Sequence, residues 1–431
     1  MSSHNINETL YGKKIDTANI LNISDAKNIR DKFVSVVKTG DAFENNVIIV
    51  TGVTGQDGSY MIDYLLKNTK ALIFGGVRRL SVYNHKNLSH IPKHDRFHLV
   101  NFDLTDAHSI GAIVEQLKPD YFINFAAQSF VASSWDFARQ TWQTNSTSVL
   151  DILEAVRQYR PQCRFYNAGS SEEFGNVAYS PQDEQHPLRP RSPYGASKAA
   201  ARQIVKVYRE SYNLYAIQGW LFNHEGPRRG EEFVTRKITK GVARIAYSIK
   251  CDIPFAPIEL GNVYAKRDWS DSEDFVECVW LMLNQDLYRK DSEDIKKIYH
   301  GRGKLMLPQN INPTWDKVLS ENIKEYVLSS NETHTIKEFV EEAFKVAGIT
   351  GVWHGDGLTE EFSISTKDAI AMNAPSSVLV KINSNFYRPA EVELLMGDST
   401  QFRNDFGWKP KTGFKQLVEK MVRSDLKDVG L

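Results

Sequence analysis

Short apolar runs alternate with amphipathic stretches from Asn46 to Phe222. The runs have strand length and predict strands over 46–50, 71–77, 97–102, 121–126, 164–170 and 216–222. Helical spacing between them predicts helices over 60–66, 109–117, 141–159 and 194–212. A strand that is apolar at every position is covered on both faces, as strands of parallel sheets are. Strand–helix alternation with right-handed crossovers therefore gives an α/β fold. It is a doubly wound parallel sheet of the Rossmann type, with its ligand crevice at the carboxyl ends of the strands.

The pattern differs on either side of this block. Residues 1–45 form a polar amino-terminal extension. Within it, Ser24 to Val37 predicts an amphipathic helix with Ile29, Phe33 and Val37 on one face. A surface helix packed on the body is expected there, with a subunit contact as the other use. After Phe222 the loops lengthen and the helices become isolated. Residues 223–425 are expected to form a smaller, discontinuous, mainly substrate-binding domain, and 426–431 a tail. The apolar stretch 274–283 predicts a helix that rejoins the first domain, with 262–288 as the returning segment. Residues 289–323 are polar and are expected to be a surface insertion. Thr335 and Glu338 form a capping box ahead of the helix IKEFVEEAFKV, and a last amphipathic helix is expected near 414–421.

Composition narrows the class of function. The chain has 431 residues, 41% of them hydrophobic, so a large core is available. Its formal net charge is zero, which gives no electrostatic basis for binding nucleic acid. Cys163, Cys251 and Cys278 lie far apart, with neither metal-ligand nor disulfide-framework spacing. The spacing of His85, His90, His94 and His98 matches no common metal motif, and no metal is expected. No apolar run reaches membrane-spanning length. A reduced, cytoplasmic enzyme is the expectation, without a membrane partner.

Three constellations carry chemistry. The first is TGVTGQDGSY, directly after the first strand. Gly52 permits a tight turn, Gly55 lets the backbone approach a pyrophosphate, and Gly58 lets the helix pack closely on the strand. Thr54, Gln56 and Asp57 belong to the same turn, and the helix start presents N–H groups to an anion. At the end of the second strand stand Arg78 and Arg79, where NAD-binding sheets usually carry an acid. Arginine pairs with a 2′-phosphate through charge-assisted hydrogen bonds, so NADP is favoured over NAD. Asp103 and Leu104, after the third strand, are placed to flank the adenine.

The second constellation is Tyr194 with Lys198, which a four-residue spacing puts on one helix face. A free phenol titrates near pH ~10, so a neighbouring ammonium is needed to make it a useful base. The third is Ser170, Ser171 and Glu172 at the end of the fifth strand. A hydroxyl there can bind a substrate oxygen together with Tyr194. Simple hydride transfer has no use for Glu172, whereas a carboxylate suits removal of a proton next to a newly formed ketone. Glu173 competes for that role, and its side chain is expected to point elsewhere.

These residues resemble the extended short-chain dehydrogenase/reductase superfamily and, within it, the GDP-mannose 4,6-dehydratase family. The resemblance covers about residues 46–288 and 324–425. Its most specific stretches are TGVTGQDGSYMIDYLL, INFAAQSFVASSW, SPYGASKAAA, LFNHEGPRRGEEFVTRKIT, AKRDW and FYRPAEVELLMGD. It implies bound NADP, a GDP-sugar substrate, and oxidation at C4 by Tyr194. Proton removal from C5 by Glu172, loss of water from C6 and return of the hydride to C6 would follow. It also implies that Asn124, Ala126, Ala127 and Gln128 line the cofactor channel. Asn223, Lys237, Arg267 and Arg388 would grip the diphosphate and sugar, and Glu391 the nucleotide ribose. A homodimer or homotetramer is expected. Ser170 stands where the family usually has threonine, and Gly226 where it has serine. Glu173 and Phe174 replace leucine and tyrosine, and the loop after Trp269 lacks a glycine. The departures leave open another GDP-sugar such as a GDP-heptose. A sugar-nucleotide epimerase or 4-reductase is the alternative within the fold, and a non-enzymatic NADP-sensing scaffold is the alternative outside it.

Overall fold

A computed structural model of the chain describes residues 20–36, 46–79, 86–292, 322–371, 374, 376–387 and 394–431. His85, Arg388 and Glu391 lie outside the described residues, as do most of the amino-terminal extension and residues 293–321.

Six strands build most of the main sheet: β1 (Val47–Thr51), β2 (Leu72–Val77), β3 (Phe97–Asn101), β4 (Tyr121–Asn124), β5 (Arg164–Ala168) and β6 (Ala216–Leu221). All neighbours run parallel, in the order 6-5-4-1-2-3, and Val327–Leu328 adds a seventh strand beside β6. The strands are apolar because both faces are covered. Ile48, Val50, Ile73, Ile123 and Ile217 enter one core, against helices Gln56–Asn68 and Ser272–Leu283. Ile49, Phe74, Val100, Phe122 and Phe165 enter the other, against helices Ala107–Leu117, Ser148–Tyr159 and Pro193–Tyr212.

The order reverses between β1 and β4. Chains leaving these two strands turn to opposite faces, which opens a crevice at their carboxyl ends.

The helix Ile23–Val36 packs on the second core through Ile29 and Phe33. Leu21 just before it forms a parallel bridge with Val100 at the edge strand. This covers unpaired backbone groups that would otherwise face solvent. The helix Ser272–Leu283 packs on the helix that follows the glycine turn, burying Phe275 and Val279. A third core gathers helices Val234–Lys250, Ile336–Val346 and Phe414–Asp428 on a four-stranded sheet that includes Ile258–Leu260 and Val378–Ile382. Thr335 caps the middle helix with the reciprocal Glu338 contact expected from the sequence.

Three expectations need correction. The helix expected over 141–159 is broken. Ala138–Trp142 and Ser148–Tyr159 are joined by a π-helical turn at Gln143–Thr147, which aims Asn145 into the interior. The fourth strand stops at Asn124, because the chain must leave the sheet to line the crevice. The ends of the expected surface insertion are buried: Arg289 is 3% and Ile323 5% exposed. Arg289 Nη1 donates to the Asn322 carbonyl at 2.6 Å, and Lys324 N to Gln285 Oε1 at 3.1 Å. Residues 289 and 322, far apart in sequence, are thus held side by side.

A row of polar side chains crosses the apolar sheet near the carboxyl ends of the strands. Thr51 Oγ1 donates to Asn124 Oδ1 (2.5 Å), Asn124 Nδ2 to Asn167 Oδ1 (2.8 Å), and Asn167 Nδ2 to Gln218 Oε1 (2.6 Å). The backbone register places each of these pairs opposite one another. None is more than 2% exposed. Asn167→Leu should strand Asn124 Nδ2 and Gln218 Oε1 together. The expected cost is about 2–6 kcal/mol, from ~1–3 kcal/mol for each unsatisfied buried group. Urea unfolding checks this, and a loss below about 1 kcal/mol would show that the row is dispensable.

Candidate active site

The crevice is a groove of about 840 Å³. Its floor is the turn after β1. Gly52 adopts φ 70°, and a methyl group there would lie 2.8 Å from Ala126 N, so the turn fits against the β4 exit only as glycine. Thr54, Gly55, Gln56, Asp57 and Gly58 line it with Gly52. Arg78, Asp103 and Leu104 line one side, and Ala126, Ala127 and Gln128 another. Gln56 Oε1 and Gln128 Oε1 are buried acceptors without a partner among the described residues. The glycine turn at the floor of the groove fits a dinucleotide.

Three predicted cofactor residues behave differently. Asn124 does not line the groove, because both ends of its amide are spent in the cross-sheet row. Asp57 lines it, but its carboxylate is engaged by His224 Nε2 at 2.9 Å and Ser272 Oγ at 2.6 Å. These partners hold Asp57 well below the usual carboxylate range despite its burial. His224 Nδ1 lies 2.7 Å from the Phe222 carbonyl, so both ring nitrogens face acceptors; burial lowers the imidazole pKa, and Asp57 more than reverses this and raises it. This pair ties the glycine turn to the strand bearing Asn223. Arg79 is exposed and is not part of the groove lining, whereas Arg78 is.

Sequence reasoning missed the roof. Arg228, Arg229, Phe233 and Arg236 all line the groove. The Arg228 guanidinium lies 4.1 Å from the centre of the Tyr60 ring and 2.7 Å from Asp63. Arg229 reaches Glu225 at 3.1 Å and lies over Phe233 at 3.6 Å. The available signal was the Pro-Arg-Arg-Gly run following a strand. Asn145 was also missed. It exchanges hydrogen bonds with the Gln128 backbone (2.9 and 3.0 Å) and donates to Ser197 Oγ at 3.2 Å. Ser197 Oγ in turn donates to the Tyr194 carbonyl. No local pattern announces a residue presented by a π-helical turn.

One strand over, at the end of β5, the residues expected to do chemistry come together. Ser170 caps a single 3-10 turn, Ser171–Glu173, and its hydroxyl accepts from Glu172 N at 3.2 Å. Ser192 caps the facing helix by accepting from Gly195 N at 3.0 Å, with Pro193 in the first turn. A methyl at Gly195 would lie 2.5 Å from the Glu172 carbonyl oxygen. The absence of a side chain there lets the helix carrying Tyr194 press against the turn carrying Glu172.

Burial pushes the Tyr194 phenol up to about 12, and Glu172 and Glu173 push the same way, while a hydrogen bond with the Ser170 hydroxyl opposes them. Burial pulls Lys198 down to about 8, with Glu173 and Asp57 holding it up. The Lys198 ammonium donates to the Ala168 carbonyl at 2.8 Å and lies 5.9 Å from the Tyr194 ring centre. Glu172 is half-buried. Glu173 points away into the protein, as expected, and is fully buried against Arg202.

Asn223 stands opposite Trp269, two residues beyond Arg267, where Asn223–Glu225 pairs with Trp269–Asp271. Lys237, on the helix Val234–Lys250, lies 3.3 Å from the centre of the Phe386 ring, and burial lowers its pKa. His90 meets Asp63 at 2.8 Å, and His98 meets the Asp95 carbonyl. Among the described residues no metal-holding group occurs and no helix is long and apolar enough to cross a membrane.

The chain is 37% identical over 395 residues to a GDP-mannose 4,6 dehydratase of Drosophila melanogaster, covering 90% of this chain and 87% of that one. It is 36% identical over 390 residues to the Homo sapiens enzyme of the same name, covering 88% and 91%. The fold superposes on dTDP-glucose 4,6-dehydratase from Bacillus anthracis, solved in complex with NAD, with a TM-score of 0.64. At 19% identity, that match covers 89% of this chain and 97% of that one. The family model for GDP-mannose 4,6 dehydratase matches residues 49–298 and 309–421, taking in the groove, the β5 turn and the helix of Tyr194. With likeness of this extent running through every part of the site, the chain belongs to the GDP-mannose 4,6-dehydratase family.

Proposed function

We propose that this chain converts GDP-mannose to GDP-4-keto-6-deoxymannose and water, with NADP as a recycled cofactor. The observation that carries this reading is the apposition of Glu172 to Tyr194, which family membership reinforces. Bound NADP would supply the hydride acceptor for C4 and, once reduced, the hydride donor for C6. The glycine turn and Ala126–Gln128 would hold it, with Arg78 on its 2′-phosphate.

The chain's own groups handle the protons. Tyr194 takes the proton from the C4 hydroxyl. Its phenol stays near 12 even with the Ser170 hydroxyl against it, so the Lys198 ammonium must add to the stabilisation of the phenolate. A lysine near 8 is still mainly protonated at neutral pH, which suits that task. Oxidation at C4 acidifies C5–H. Glu172 removes that proton and passes it to the C6 hydroxyl, which departs as water with Ser171 beside it; once hydride has returned to C6, C5 takes a proton from solvent and Tyr194 gives up the proton it took from the C4 hydroxyl. Asn223, Lys237, Arg267 and Arg388 grip the diphosphate and sugar, and Glu391 holds the nucleotide ribose. An epimerase or 4-reductase would use Tyr194 and Lys198 and leave Glu172 idle.

The reading is tested by mass analysis of GDP-mannose incubated with the protein. Loss of one water is expected, with Tyr194→Phe and Glu172→Gln each slowing it by ~10² or more while GDP-mannose still binds. A Glu172→Gln variant that dehydrates normally would move the assignment to the epimerase or reductase class. For the cofactor, Arg78→Ala should weaken NADP by about tenfold or more and leave NAD nearly unchanged, as for one lost charge-assisted contact. Fluorescence titration of both cofactors checks this, and equal losses for the two would refute the 2′-phosphate assignment.

A further inference from the structure

Glu173 is a charged residue without a stated role, placed where the family resemblance leads one to expect leucine. Its carboxylate has no exposure at all, and its partner Arg202 is 3% exposed. Arg202 Nε donates to Glu173 Oε2 at 2.5 Å, and Gln218 Nε2 to Glu173 Oε1 at 3.0 Å. The backbone N–H of Ser170 also donates to Glu173 Oε1, at 2.9 Å. Burial raises the Glu173 carboxyl and these donors pull it back; each of them requires an acceptor, which the ionised form supplies. The far side of Arg202 is held as well. Its Nη1 donates to the Gln218 carbonyl (2.6 Å) and to Glu325 (3.1 Å), and Glu325 also accepts from Arg209 at 2.9 Å. The guanidinium lies 3.4 Å from the centre of the Trp220 ring. Gly169 is pressed so tightly here that an added methyl would lie 2.7 Å from Glu173 Oε1 and 2.8 Å from Arg202 Nη2.

We infer that Glu173, clamped by Arg202, is a positioning residue that fixes the Ser170–Glu172 turn for reaction. The inference rests on the dehydratase reading above. Ser170 is held twice: its hydroxyl receives Glu172 N–H, and its own N–H ends on Glu173. The same hydroxyl meets the Tyr194 phenol. Glu173 therefore sets where the C4 partner of Tyr194 stands and how Glu172 leaves the turn, without touching substrate. A leucine at this position would leave the buried Ser170 N–H without that acceptor. The polar row from β1 also ends on this carboxylate, through Gln218, so the turn is referenced to the cofactor side of the sheet.

A single Arg202 variant would leave Glu173 as an unpaired buried charge and threaten the fold. Two neutral double variants avoid this: Glu173→Gln with Arg202→Met keeps an acceptor for Ser170 N–H, and Glu173→Leu with Arg202→Met removes it. Thermal melting, NADP affinity, kcat and KM for GDP-mannose are measured on each beside wild type. A positioning role predicts similar melting, similar NADP affinity and KM, and a kcat for the leucine variant about 10²-fold below that of the glutamine variant, as expected for a misplaced catalytic group. Equal kcat values for the two, or a kcat that falls only in step with the folded fraction, would overturn the inference. Glu173→Asp keeps the ion pair but shortens the reach to Ser170, so it should fold and lose kcat by roughly tenfold at unchanged KM. Wild-type kcat in that variant would also count against it. Wild-type protein that releases no water from GDP-mannose would remove the functional reading and this inference together. Wild-type turnover with indifferent variants would remove only the role of the pair.

Discussion

The structure depends on satisfying four polar side chains inside an apolar sheet. Thr51, Asn124, Asn167 and Gln218 sit one to a strand at the switch point, where water cannot serve them. Each finds its partner only if neighbouring strands keep one register, since a one-residue slip would turn the side chain to the other face. The row ends at the carboxylate of Glu173 and the carbonyl of Lys198, both accepting from Gln218. Register in the sheet is thereby converted into the relative position of the glycine turn, the Ser170 turn and the helix of Tyr194. The apolar cores supply most of the driving force, and the polar row makes its outcome specific.

The site carries opposing charge effects that a dry interior makes large. Burial raises Tyr194 and lowers Lys198, so each is driven toward its neutral form. Glu173 and Asp57 push Lys198 back toward its ammonium form, and neither is free to move. Asp57 is fastened to His224 and Ser272, and Glu173 to Arg202. Two carboxylates that belong to structural pairs thus sustain the cation that a phenolate needs.

Much of this was legible in the chain. Strands that are apolar throughout can only be buried, so the six main strands and the parallel sheet followed from periodicity. The glycine turn, Arg78, the Ser170 turn and the Tyr194–Lys198 helix were readable because local spacing fixes their geometry. Asn124 was misread because a polar residue ending a strand looks the same whether it faces a ligand or a neighbouring strand. Asp57 shares its turn with groove residues, but its carboxylate is claimed by His224, which lies 167 positions away in sequence. Asn145 depends on a π-helical turn, and Val327–Leu328 is too short a strand to register as one. Each of these is set by tertiary contact rather than local pattern. Glu173 was expected to point elsewhere than Glu172, and it is buried against Arg202, a partner that could not be named without the fold.

The central claim is that Glu172 removes the C5 proton between hydride loss at C4 and hydride return at C6, the two carbons that flank C5 of one sugar. It is tested most directly by running the reaction in heavy water on GDP-mannose deuterated at C4 in one sample and unlabelled in another, and locating the label in the product by NMR. Solvent deuterium at C5, together with transfer of the C4 label to C6 of the same molecule, is the predicted result. A product that keeps its original C5 hydrogen, or whose C6 hydrogen comes from solvent, would contradict it.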